Sequence, residues 1–145
     1  MISRLPGWVL IYACYLSIMA GMINVVGFLS FEHQAVTHLT GTTSMLSAAL
    51  AHADTGLALH LLGVIGSFFF GAVLSGIIIR DSVLRLGKRY GVALLLESAM
   101  LALAVSFLHR QSPVGIYLAG AACGLQNAMA TTYSGTVIRT SHVTG

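Results

Sequence analysis

Two short strings carry most of the chemistry this chain could do. VTHLTG at 36–41 and SHVTG at 141–145 each place a His, one apolar residue, a Thr and a Gly in that order. A Gly flanked by hydroxyl residues at the start of a short helix leaves backbone amides exposed, and such amides bind anions or polar groups. The candidate contacts are Thr37, His38, Thr40, Gly41 and Thr42 in the first string and His142, Thr144 and Gly145 in the second. The same residue types also cap and turn helices without binding anything. Recurrence of the set in one chain is what favours contact with a solute.

Three amide side chains form a second group. Asn24, Gln126 and Asn127 stand in apolar surroundings, where an amide must find hydrogen-bond partners or cost a few kcal/mol. They either glue helices together or line the same cavity as the two His-Thr-Gly strings. Their spacing to those strings points to the cavity: Asn24 precedes His38 by 14 positions and Asn127 precedes His142 by 15. Glu97, in GVALLLESAM, is the one formal charge well inside an apolar run, about 10 Å along a helix that starts near Tyr90. Charges at such depth are paired or functional. Glu97 is therefore a candidate for proton or cation coupling, with a snorkelling Arg of the neighbouring loop as the structural alternative. His52 and His60, near the ends of apolar runs, fit an interfacial position and are set aside.

Other chemistries find no residues to carry them. Six His and four acidic residues are scattered without a metal-ligand spacing or a serine elbow, so neither an enzyme, a metal nor a cofactor is expected. Cys14 and Cys123 lie singly inside apolar runs and read as small buried hydrophobes. The net charge of +3 does not imply nucleic acid, because the basic residues sit between apolar runs.

The elements that must position these groups follow from composition. At 57% hydrophobic and 8% charged residues, with mean hydropathy +0.89, the chain lies far from soluble usage, where about a quarter of residues are charged. The expected fold is all-α, a polytopic membrane helix bundle. Spans are expected at about 6–29, 56–79, 90–108 and 114–138, each near the roughly 20 residues a bilayer requires. Gly63, Gly66, Gly71, Ser75 and Gly76 supply small packing positions in the second. Residues 37–53 are too polar and too short for a confident span.

RDSVLRLGKR at 80–89 holds four of the seven Lys and Arg residues, which marks this loop as cytoplasmic. If 37–53 crosses fully, five basic residues fall inside and two outside. If it enters and leaves on one side, six fall inside and only Arg110 outside. The second count favours a re-entrant half-helix, which is tolerated where protein or a watery cavity satisfies its backbone. An odd number of full spans then separates AGMINVVGFLSFEHQAVTHLTG, 20–41, from ACGLQNAMATTYSGTVIRTSHVTG, 122–145. The second copy is thereby turned upside down. Residues 1–110 form a first repeat and 111–145 the start of a second, a partial inverted repeat of the kind secondary transporters use.

With AGMINVVGFLSF, THLTGTTSML, the FFFGAVLSG span and GLQNAMATTYSG followed by HVTG, the chain resembles the YoaK family of bacterial membrane proteins, a family built on a domain of unknown function. The resemblance touches most of the chain and implies a multi-pass protein of the bacterial plasma (inner) membrane, with no established activity. Two departures stand out: an acidic residue found in many members is Asn24 here, and members continue past HVTG through further spans. A chain truncated within its second repeat is the expectation. The function expected is a small-solute transporter or channel, taking an anion or a polar neutral metabolite at a midplane cavity. The alternative is a non-transporting scaffold or sensor. The lipid bilayer and the solute are the expected partners, with association into a homo-oligomer compatible with so few spans.

Overall fold

The computed structural model describes residues 7–29, 39–79 and 88–133. Among them the chain is all-α, in five helices: α1 (Gly7–Leu29), α2 (Leu39–Ala51), α3 (Thr55–Ile79), α4 (Lys88–His109) and α5 (Val114–Tyr133). Residues 37–38 of the expected half-helix, 134–138 of the last expected span and the whole SHVTG string lie outside the described residues.

Two tight turns fix the order of the helices. After α2, Ala53 takes a φ of 55°, its N–H bonds to Leu50 at 3.1 Å, and the Asp54 N–H reaches Ala49 at 2.9 Å. This pair of bonds closes a helix through one left-handed residue. Asp54 then caps α3, its Oδ1 accepting from the Leu57 N–H at 3.0 Å, three residues on as an N-cap requires. The α4–α5 turn repeats the device: Gln111 has a φ of 55°, with Gln111 bonded to Leu108 at 2.9 Å and Ser112 to Phe107 at 3.0 Å.

The α3–α5 contact is the most extensive in the described structure, and α5 also packs broadly on α4. Both α3 and α5 run the same way: His60 meets Tyr117, Phe68 meets Gly124, and Ile79 clusters with Leu125 and Met129. α4 runs against them, since Ala93 belongs to the Leu125–Met129 end and Ala104 to the Ile116–Ala119 end. Backbone approach holds α3 to α5. A methyl at Gly71 would overlap the carbonyl oxygen of Ala121, and one at Gly124 that of Phe68, so only glycine allows the helices this close. Of the other small residues of α3, Gly63 lies against the Tyr117 ring, whereas Gly66 and Gly76 have nothing within 4 Å and face away from the contact.

The bundle buries a few polar side chains in its apolar core and leaves many large apolar ones on its surface. Ser75, Glu97 and Gln126 are buried, whereas Phe70 (64% exposed), Ile77 (64%) and Leu95 (73%) are not. Water would not leave so many large apolar side chains uncovered. α3 and α4 are each long and apolar enough to cross a membrane, and membrane association follows from the two properties together. Cys123 is buried as expected, but Cys14 is exposed on α1, because that face of the helix packs on nothing among the described residues.

α2 lies along α3 and is only 13 residues long. Its carboxyl end is level with the start of α3, where Ala49 packs with Ala58 and Leu61. Its amino end reaches the middle of α3: Leu39, fully buried, joins Val64 and Phe68 in the central cluster with Ala104, Ile116, Ala119 and Cys123.

Candidate functional site

The described residues gather polar groups in three places. The first is the amino end of α2. The first amides of a helix point out of its end, and at this end Thr40 and Thr42 both have partners in the chain. The residues around them face different ways: Leu39 and Thr42 are buried, Thr40 is half-buried and Gly41 is exposed with open space beside it. The hydroxyls of the next turns bend back onto their own helix, Thr43 to the Thr40 carbonyl at 2.9 Å and Ser47 to the Thr43 carbonyl at 3.0 Å. Candidate contacts from this end thus reduce to the backbone plus Thr40 and Thr42, and neither of these two residues is without a partner in the chain. Thr37 and His38, together with His142, Thr144 and Gly145, lie outside the described residues.

The second place is a buried pair in the three-helix core. Gln126 on α5 donates from Nε2 to Oε1 of Glu97 on α4 at 2.9 Å. Both residues are more than nine-tenths buried. The sequence left Glu97 between a coupling role and a loop Arg, and Gln126 between joining helices and lining a cavity; the structure joins the two across α4 and α5. The reason is register: Glu97 belongs to the inward stripe Tyr90, Ala93, Glu97, Ala104, and antiparallel packing sets it opposite Gln126. Asn127, the next residue, is half-buried and accepts at its carbonyl from Thr131 Oγ1 at 2.7 Å. Asn24 is half-buried on α1, and neither asparagine is free.

The third place was not expected from the sequence. His60 Nδ1 and the Tyr117 hydroxyl are 2.8 Å apart, their rings 5.4 Å apart and tilted. Gly63, three residues after His60 and on the same face, lets the Tyr117 ring come close to α3; a methyl there would stand 3.0 Å from it. The one trace of it in the sequence is LHLLG, which puts His60 and Gly63 on one helical face without naming the ring that packs there.

Among the described residues no group of three His, Cys, Asp or Glu side chains could hold a metal. What the arrangement offers instead is a carboxylate–amide pair buried in the bundle and the amino end of a short helix packed beside α3.

A family model matches residues 12–145 of the chain, that of the family described as "Protein of unknown function (DUF1275)". No curated protein matches the sequence, and no solved structure matches the fold.

Proposed function

We propose that this chain, which belongs to the family described as "Protein of unknown function (DUF1275)" over residues 12–145, is a multi-pass bacterial inner-membrane protein that moves a small solute across the bilayer. Loop 80–89 is its cytoplasmic side. One observation carries the reading: the amino end of α2 stops level with the middle of α3, while its carboxyl end is level with the first turn of α3.

The lengths fit that reading. α3 has 25 residues, about 37 Å at 1.5 Å per residue, sufficient for a hydrocarbon core of about 30 Å. α2 has 13, about 20 Å, and does not span. With α3 crossing, α2 is a half-helix that enters and leaves on one side, and its amino end lies near the midplane. A helix amino end at that depth carries partial positive charge, which a polar cavity or a bound group accommodates best. Gly41 stands at that end, and the recurrence of the His-Thr-Gly set in the sequence is what supports assigning His38 and the SHVTG string to the same solute path. The end-on amides suit a small anion or the polar edge of a neutral metabolite. The protein is a carrier or channel and not an enzyme.

The test is flux through proteoliposomes of the full-length protein, screened against small anions and neutral polar metabolites. At least one solute should exceed the empty-vesicle background. Gly41→Leu, which fills the open space beside α2, and His38→Ala should abolish that flux while leaving the protein inserted and folded. Normal flux in both variants would move the site elsewhere; no flux for any solute from well-folded protein would favour a scaffold or sensor.

A further inference from the structure

Three buried oxygen atoms in the core of the bundle lack any hydrogen-bond donor: Glu97 Oε2, Gln126 Oε1 and Ser75 Oγ. Glu97 and Gln126 are joined at their other atoms. Ser75 shares their level. On α3 it stands midway between Gly71, which meets Ala121, and Ile79, which clusters with Leu125 and Met129; Gln126 falls within that same stretch of α5.

Each orphan is unusual for its type. A serine in an apolar helix ordinarily bonds back to a carbonyl three or four residues earlier. Ser44, Ser47, Ser67, Ser98 and Ser106 all do so here, and Ser75, 1% exposed, does not. Gln126 spends its donor on Glu97 and leaves its acceptor bare, the reverse of what an amide inserted merely to join two helices would achieve. All three free atoms are oxygens, and buried acceptors without a donor are costly.

Charge makes the same demand. Among the described residues no Lys or Arg lies on α3 or α5, and the nearest on α4, Arg89, is eight residues from Glu97, about 12 Å along the axis. The titratable groups packed nearest this core are the thiol Cys123, one turn before Gln126, and the phenol of Tyr90 on α4, clustered with Leu125 and Met129; His60 and Tyr117 pair with each other at the far end of α3. None of these neutralises a carboxylate. An ionised carboxylate at this depth without a counter-charge would cost several kcal/mol.

We propose that Glu97, Gln126 and Ser75 form a site for one small monovalent cation, sodium or a proton, bound between α3, α4 and α5. The Glu97 carboxylate supplies the charge, and the Gln126 carbonyl and Ser75 hydroxyl supply neutral oxygens. All three are hard ligands suited to such an ion and not to a soft metal. As the coupling ion of a transport cycle, the cation rests on the transporter reading above. Its binding does not, and it is measured without any flux.

The test uses the full-length protein in detergent, with thermal unfolding followed by intrinsic fluorescence at constant ionic strength as sodium chloride replaces choline chloride. The midpoint should rise with sodium. Glu97→Gln, a near-isostere that removes the charge, should abolish the rise and be no less stable than wild type without sodium. Ser75→Ala should weaken the response, and Gln126→Leu should remove it. Retention of radioactive sodium by the wild-type protein decides the same point should Gln126→Leu fail to fold. If sodium has no effect, an infrared carboxyl band that changes with pH in wild type and is missing in Glu97→Gln identifies the proton as the ion. Neither a sodium response nor such a band would overturn the site. Loss of the site with flux intact leaves the solute pathway standing, and the converse result leaves the cation site standing.

Discussion

Gly71 lies against the backbone of Ala121 with no room for a methyl group between them. Gly124 and Phe68 repeat the relationship nearby, so the two helices touch backbone to backbone, and a side chain at either glycine must push them apart. Gly71→Ala and Gly124→Ala should each lower stability by about 1–3 kcal/mol, the usual penalty of overpacking. Gly66→Ala should instead be neutral or stabilising by up to about 1 kcal/mol, since it adds helix propensity where nothing stands within 4 Å. Denaturant unfolding of the three variants in detergent checks the contrast, and a destabilising Gly66→Ala would contradict the assigned faces.

The His60–Tyr117 pair gives a second, independent measurement. Tyr117→Phe keeps the ring on Gly63 and removes only the hydroxyl, so the expected loss is about 1 kcal/mol. A double-mutant cycle with His60→Ala should show the two changes to be non-additive, with a coupling of about 0.5–1.5 kcal/mol. Additive effects would mean that the 2.8 Å approach contributes nothing to stability.

The turn between α2 and α3 can be strengthened and weakened at adjacent residues. Ala53→Gly relieves a left-handed backbone and should stabilise by about 1 kcal/mol. Asp54→Ala removes the cap on Leu57 and should destabilise by about 1 kcal/mol. Opposite signs in thermal unfolding would support this hairpin; equal signs would not.

Topology is open to labelling. In a background with Cys14 and Cys123 replaced by Ala, single cysteines at Glu32 and Thr55 should react with an impermeant thiol reagent from the same, outer side. Labelling from opposite sides would mean that α2 crosses the bilayer, and the midplane placement of its amino end would fall.

How far the sequence reached can be seen residue by residue. The absence of charge over long apolar runs announced an all-helical chain, because in a bilayer few other structures satisfy the backbone. Which small residues meet a neighbour was beyond it: Gly63, Gly66, Gly71 and Gly76 look alike in one dimension, and the rotation of α3 alone separates the two in contact from the two facing away. Glu97 was legible as an exception, since a carboxylate among leucines is expensive wherever the fold puts it. Its partner was not, because pairing with Gln126 depends on the antiparallel register of α4 and α5, set by packing along the whole helices. His60 was passed over for lack of a partner in sequence, and Tyr117 stands 57 residues away.

The tightest seam of the bundle joins helices that are made far apart in time. Ala121 follows Gly71 by 50 residues and Gly124 follows Phe68 by 56, so at the usual 5–20 residues per second several seconds separate the synthesis of the two halves. Throughout that interval α3 presents Gly63, Ser67, Gly71 and Ser75 uncovered, a row that would accept any other helix with small residues on one face. α4, emerging next, must turn the chain back without settling into the groove that α5 will need. Successful assembly therefore depends on the order of arrival as much as on the final fit, and a nascent chain stalled after α4 is the one most exposed to pairing with the wrong neighbour.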